Sequence, residues 1–273
     1  CMKIGELSSM IFHHLRKYRI IMNRNTLETY LNTLLSPERI KDYAPNGLQI
    51  QGKDDIKKIL TGVTASQALI NRAIDEKADA IIVHHGYFWK NESYVIRGMK
   101  HTRIKALLDN DINLFAYHLP LDIHPSLGNN AQLAKLLSID VTGPLELEND
   151  LSIALQGELP VACSGAALAQ KINVKLSRTC LHITPPSNKE IKTIAWCTGG
   201  GQDYIELAAE QGIDAFISGE VSEKTTHIAH EMDIHFFAAG HHATERYGVK
   251  ALGEYIANEH EVEVVFVDID NPV

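Results

Sequence analysis

Residues 56–85 read IKKILTGVTASQALINRAIDEKADAIIVHH, and residues 191–220 read IKTIAWCTGGGQDYIELAAEQGIDAFISGE. Laid over one another at a constant offset of 135 residues, without a gap, they align Ile56, Lys57 and Ile59 with Ile191, Lys192 and Ile194. The same offset puts Gln67 on Gln202, Ile70 on Ile205, Ala73 on Ala208, and Asp79 and Ala80 on Asp214 and Ala215. Both copies read as strand, turn, helix, strand. In the first, 56–63 is apolar and β-branched, 66–77 has apolar residues at helical spacing, and 80–83 is a short buried strand; the second repeats this at 194–197, 202–211 and 215–217. Each copy continues through a further helix, near 101–110 and 222–232, into another strand, 113–117 and 235–239. Strands alternating with helices imply an α/β fold whose mostly parallel sheet is built from right-handed crossovers. Ligands of such sheets gather at the carboxyl ends of the strands.

Those ends carry the chemistry. VHHG holds His84 and His85, YHLPLD holds His118 and Asp122, and GHHATE holds His241, His242 and Glu245. His-x-x-x-Asp and His-x-x-x-Glu each set a nitrogen donor beside a hard oxygen donor, a mixture that suits Zn, Fe, Mn or Ni rather than Ca or a thiolate cluster. Two such half-sites suggest one dinuclear centre. Neighbours in a strand point to opposite faces, so His84 and His85 can share a cleft only where the strand ends, just before Gly86. Gly240 gives turning freedom ahead of a helix expected to begin near Ala243, where His241 and Glu245 would share one face.

Around these repeats the chain divides into an extension at 1–21, a first repeat at 22–143, a small central insert at 144–190 and a second repeat at 191–273. The extension is basic and apolar without a signal-peptide cleavage site, and His13 and His14 receive no metal role. Thr26 is expected to cap a helix over 27–34. The insert, punctuated by Pro144, Pro160, Pro185 and Pro186, carries expected strands at 152–156 and 179–183 and a helix near 165–172. It either packs beside the repeats or covers the cleft.

The chain has 273 residues and a formal net charge of -8. That balance gives no case for nucleic acid, whose binders carry basic surface. Cys1, Cys163, Cys180 and Cys197 form no C-x-x-C motif, as expected of reduced thiols, and no apolar run is long enough to span a bilayer. The expected setting is the cytoplasm, away from membranes.

Other residues near the motifs admit two readings each. Glu220 and Glu223, in SGEVSEK, are the candidate catalytic acid-base pair or stabilise a helix start. CTGGGQ (197–202) either offers amides to a phosphate or makes a tight turn for close packing. His242 is an outer or substrate-facing group or a structural one, and His124 and His227 are outer or surface groups. Tyr87, Phe88 and Trp89 stack on a purine or pack their own loop. Lys90, Arg97 and Arg246 are the cations nearest these motifs, at hand for an anionic substrate. No G-x-S-x-G elbow or cysteine-protease signature surrounds Ser218, Ser222 or Cys197.

VTASQALI, IIVHHGYFWK, HLPLDIHPSLGNNAQLA, CTGGGQ, ISGEVSEKTTH and AAGHHATERYG together resemble the GTP cyclohydrolase 1 type 2 family, also called NGG-interacting-factor-like dinuclear metal proteins, in its short bacterial form. The resemblance runs from about Met22 to the end. It implies an α/β fold, a two-metal centre and a ring-shaped homohexamer, with metal ligands at His84, His85, Asp122, His241 and Glu245 and His118 as a further candidate. The activity it implies is metal-dependent hydrolysis of a small molecule, with the guanine ring of GTP opened by some members. Two cations about 3.5 to 4 Å apart would share and activate one water. The same ligands would equally serve a protein that stores, delivers or senses metal without turnover.

Overall fold

The computed structural model describes residues 22–273; the expected extension at 1–21, with its two histidines, lies outside the described residues. The first described helix, α1 (Arg24–Leu35), buries Leu27, Leu31 and Leu35, a stripe with the four-residue spacing of one helical face. Its cap is Asn23, whose side chain accepts from the Thr26 backbone N–H at 2.8 Å, so the helix starts a turn earlier than expected and Thr26 lies inside it. Strand β1 (Gly47–Ile50) follows.

The first copy of the repeat then folds as β2 (Lys58–Thr64), α2 (Gln67–Asp75), β3 (Ala80–His85), α3 (Gly98–Asp109) and β4 (Asn113–Ala116). Ser66 caps α2 by accepting from Leu69 N–H at 3.3 Å. Two short helices, α4 (Leu119–Asp122) and α5 (Asn129–Leu137), lead to strands β5 (Asp140–Pro144) and β6 (Leu155–Cys163), helix α6 (Gly165–Leu176) and strand β7 (Leu181–Ile183). The second copy runs β8 (Ile191–Cys197), α7 (Ile205–Glu210), β9 (Ala215–Ser218), α8 (Glu223–Glu231) and β10 (His235–Ala238). A long helix, α9 (His241–Glu259), and strand β11 (Glu263–Phe266) finish the chain. The helix expected at 202–211 is split into a 3-10 turn, Gln202–Tyr204, and the six-residue α7. No side chain caps the start of either piece, so the amides there lack the bond that fixes a helix entry.

The strands form two mixed sheets, ordered β1-β4-β3-β2-β11 and β5-β6-β8-β9-β10-β7. Their centres are the parallel triplets β4-β3-β2 and β10-β9-β8, the two copies of the repeat. The antiparallel pairings sit at the flanks: β1 on β4, β7 on β10, and β5 and β6 beside β8. The helix and edge strand α6 and β7 thus stand to the second sheet as α1 and β1 stand to the first. Strand β3 is a continuous apolar run because both faces of its sheet are covered. Leu69, Ile70, Ile104 and Leu107 of α2 and α3 cover one face, and Leu27, Leu31, Val249, Leu252 and Ile256 of α1 and α9 the other.

The helices after the repeats are exchanged. Following β4, α5 packs Leu133 and Leu137 against Ile194 and Trp196 of the second sheet. Following β10, α9 packs against Ile59, Ile82 and Phe115 of the first. The two crossing helices touch each other and bind the copies into one body. Among the described residues no helix is long and apolar enough to cross a membrane.

Candidate metal centre

The carboxyl ends of the repeat strands meet between the two sheets. His84 and His85 are the last residues of β3, His118 follows β4 at the cap position of α4, and Asp122 ends α4. His241 opens α9, two residues earlier than expected, directly after Gly240 at φ 100°. A Cβ on Gly240 would overlap Nη1 of Arg178, so a positive φ and a close neighbour both require glycine there. Glu245 follows one turn into the helix, on the face of His241.

The structure brings these six side chains together. Glu245 lies at their centre: its Oε1 is 3.5 Å from His84 Nε2, and its Oε2 is 3.2 Å from His85 Nε2 and 3.1 Å from His241 Nε2. Asp122 Oδ1 is 3.5 Å from His84 Nε2. Two sets of three donors result, His84–Asp122–Glu245 and His85–His241–Glu245, with Glu245 common to both; a third set joins His84, His85 and His118.

Each imidazole is held by its other nitrogen. His84 Nδ1 meets the Tyr117 carbonyl at 3.0 Å, His85 Nδ1 meets Thr64 Oγ1 at 3.3 Å, His118 Nδ1 meets Asp42 Oδ1 at 2.7 Å, and His241 Nδ1 meets Glu220 Oε1 at 2.7 Å. With Nδ1 engaged, Nε2 is left facing the cleft, the arrangement in which outer partners fix tautomer and ring direction for a metal. Glu245 Oε2 is buried and makes no hydrogen bond among the described residues, although two imidazole nitrogens lie within 3.2 Å. A buried carboxylate oxygen so placed needs a cation. The donor set therefore fits divalent metal.

The acidic groups govern the charge of the imidazoles. Burial disfavours charge on His84 and His241, but Asp122 and Glu245 around the first, and Glu245 and Glu220 around the second, outweigh it and hold both imidazoles up to about 9. His85, buried among other imidazoles, is pushed down to about 3. Glu245 is held well below the usual carboxylate range: burial opposes its charge, and the surrounding histidines prevail. Asp42 is likewise pulled down to about 2, burial being overcome by the hydrogen bond from His118.

Several supporting residues carried no signal in the sequence. Asn129, at the start of α5, donates to Asp122 Oδ1 at 2.8 Å and accepts from Gly248 N–H of α9 at 3.0 Å. Asn130 accepts from Thr198 N–H at 3.1 Å. Asp42 also accepts from Leu119 N–H at 2.9 Å and from Asn46 at 2.8 Å. These partners stand far from their ligands in sequence and follow no period; the string GNNAQLA was the nearest hint.

The remaining candidates separate. Glu220 touches His241, whereas Glu223 is 87% exposed on the first turn of α8 and pairs with His227 at 3.0 Å, away from the cleft. His242 is bonded to Asp268 at 2.7 Å, and His124 staples its own loop by accepting from Ser126 and Leu127 N–H. Of the three aromatics after Gly86, Trp89 reaches the cleft. Tyr87 is buried and donates to the Ala65 carbonyl, and Phe88 lies under Lys100. The glycine run serves close approach. Gly199 has φ 64°, and a Cβ on it would overlap Glu245 Oε1. The cleft has a volume of ≈ 770 Å³ and is walled by Tyr43, Trp89, Thr198 and Tyr204; from the stretch 144–190, Ile153 reaches its wall.

The family profile of Duf34/NIF3 (NGG1p interacting factor 3) matches residues 22–272. A protein from Vibrio cholerae named GTP cyclohydrolase 1 type 2 homolog is 62% identical over 253 residues, covering 92% of this chain and 100% of the relative. A protein of the same name from Escherichia coli K12 is 53% identical over 251 residues, with the same coverage. A solved structure described as protein ybgI, of unknown function, superposes with a TM-score of 0.88 at 53% identity, covering 92% of this chain and 100% of the other. The crystal structure of TTHA1606 from Thermus thermophilus superposes at 0.83 with 29% identity, over 92% of this chain and 100% of the other. Similarity of this extent is membership: the chain belongs to the Duf34/NIF3 family.

Proposed function

We propose that this protein is a metal-dependent hydrolase acting with two divalent ions on a nucleotide-like small molecule. The observation that carries the reading is the Glu245 carboxylate, shared between two three-residue donor sets in the cleft wall. His84, Asp122 and Glu245 would hold one ion, and His85, His241 and Glu245 the other, with His118 facing both sets. Imidazole and carboxylate donors suit Zn, Fe, Mn or Ni. Bound there, such ions would lower the pKa of water toward neutrality and polarise the group attacked.

The chain's own groups supply orientation and proton movement. Asp42, Thr64 and the Tyr117 carbonyl keep three rings aimed inward. Glu220, hydrogen-bonded to His241 and partly exposed, is the carboxylate that would take a proton. Relatives named as GTP cyclohydrolase 1 type 2 homologs make GTP the first substrate to try. The test is metal analysis of protein purified without a chelating column, followed by turnover assays. Glu245→Ala should lose metal and turnover together. Glu220→Gln, whose amide oxygen still accepts from His241, should keep its metal and lose roughly two to four orders of magnitude in turnover. Metal-loaded protein without turnover on any nucleotide would transfer the argument to metal storage or delivery.

The same reading includes a ring of six copies, the assembly that the family resemblance implies. The exposed apolar run Tyr94, Val95, Ile96 and Met99 supports burial against another copy. Light scattering that reports a stable monomer at micromolar concentration would remove it.

A further inference from the structure

Three aromatic rings stand around the mouth of the cleft. Trp89 meets the ring of His118 edge-on at 4.9 Å between centroids and that of His85 at 5.9 Å, and its indole N–H is pinned to the Gly86 carbonyl at 3.2 Å. Tyr43 approaches His118 at 6.4 Å and is 58% exposed. Tyr204 lines the cleft with its hydroxyl on Glu146 at 3.4 Å. A side chain held as Trp89 is loses little freedom when a flat ring settles against it.

The charge around them is acidic. Asp203 lines the cleft, and an adjoining groove is lined by Asp203, Glu206 and Glu210. Among the described residues no lysine or arginine lines the cleft. The cations that the sequence offered for an anionic substrate are elsewhere: Arg246 is bound to Asp268 and to the Leu176 carbonyl, and Lys90 and Arg97 are outside the cleft wall. Lys224, which reaches Asp203, is paired with it at 2.9 Å. A polyphosphate entering here would meet carboxylates first.

We propose that the cleft recognises its substrate by a flat heteroaromatic ring laid against Trp89 and Tyr43, and that phosphate groups contribute nothing to recognition by this chain. The inference rests on the reading of the cleft as a substrate site and narrows it to uncharged, nucleoside-like or free-base heterocycles. Trp89 is then a specificity residue that touches the ring.

Calorimetric titration of guanosine and of GTP into metal-loaded protein, its metal content fixed beforehand by elemental analysis, tests this. Guanosine should bind, GTP should bind no more than about threefold more tightly, and raising the salt should leave guanosine affinity unchanged. Trp89→Ala should weaken guanosine roughly tenfold or more at unchanged metal content, and Trp89→Phe should recover most of the loss. GTP preferred beyond that threefold margin, Trp89→Ala binding guanosine as the parent does, or no binding of guanosine overturns the proposal. Guanosine binding without any turnover leaves recognition standing and sinks the hydrolase reading instead, so the two fail separately.

Discussion

Asp79 and Asp214, matched by the sequence offset, do the same work in both sheets. Asp79 accepts from the backbone N–H groups of Lys57 and Lys58 at 2.7 and 2.9 Å, and Asp214 from those of Lys192 and Thr193 at 3.0 and 2.9 Å. Each is also paired with a lysine just upstream of its repeat, Lys53 or Lys189. The duplication thus preserved a structural acid that ties the start of one strand to the next. Both carboxyls lie below their ordinary value of 3.8: burial opposes, and the hydrogen bonds outweigh it. A depressed folded pKa stabilises above the unfolded value and is lost as pH falls through the folded one. Stability should therefore be insensitive to these groups above about pH 4 and decline below it. Asp79→Ala, which strands two amides, should cost about 1–3 kcal/mol at neutral pH and flatten the acid decline, as urea melts from acid to neutral pH will show. At this scale the ligand histidines were legible because each ends a strand pattern. Asp42 was not, being held to His118 only by the folded chain.

At the scale of the element, the turn from β8 to α7 shows where sequence reasoning stopped. CTGGGQ left phosphate contact and close packing both open, since glycine serves either. The structure assigns Gly199 to the second: Glu245 Oε1 occupies the space that a side chain would take. Gly199→Ala combines that clash with a positive φ, so it should destabilise by about 1–3 kcal/mol and displace Glu245. Metal content should fall with it, measured by elemental analysis after dialysis. Full occupancy in a folded Gly199→Ala protein would remove the cradle role. The parallel strand cores were readable from apolar runs alone. The short edge strands β1 and β11 were less so, because four residues carry too little period to distinguish strand from loop.

At the scale of the molecule, the exchange of α5 and α9 decides how the centre and the fold depend on one another. No sequence period announces that a helix leaves its own sheet to cover the other. That choice is made by which apolar face finds a partner, Leu133 and Leu137 on the second sheet and Leu252 and Ile256 on the first. His84 and His85 come from one sheet, while His241 and Glu245 come from the helix that leaves the other. The donors therefore converge only when both copies are docked. Ligand that binds the docked state alone stabilises it by mass action, about 2.7 kcal/mol at a hundredfold excess over Kd. Metal should accordingly raise the midpoint of a single cooperative transition, and Leu252→Ala, a buried truncation costing about 2–5 kcal/mol, should lower that midpoint and weaken metal retention together. Differential scanning calorimetry with and without chelator is the measurement. Two transitions, of which metal moves only one, would mean that one copy builds the centre without the other.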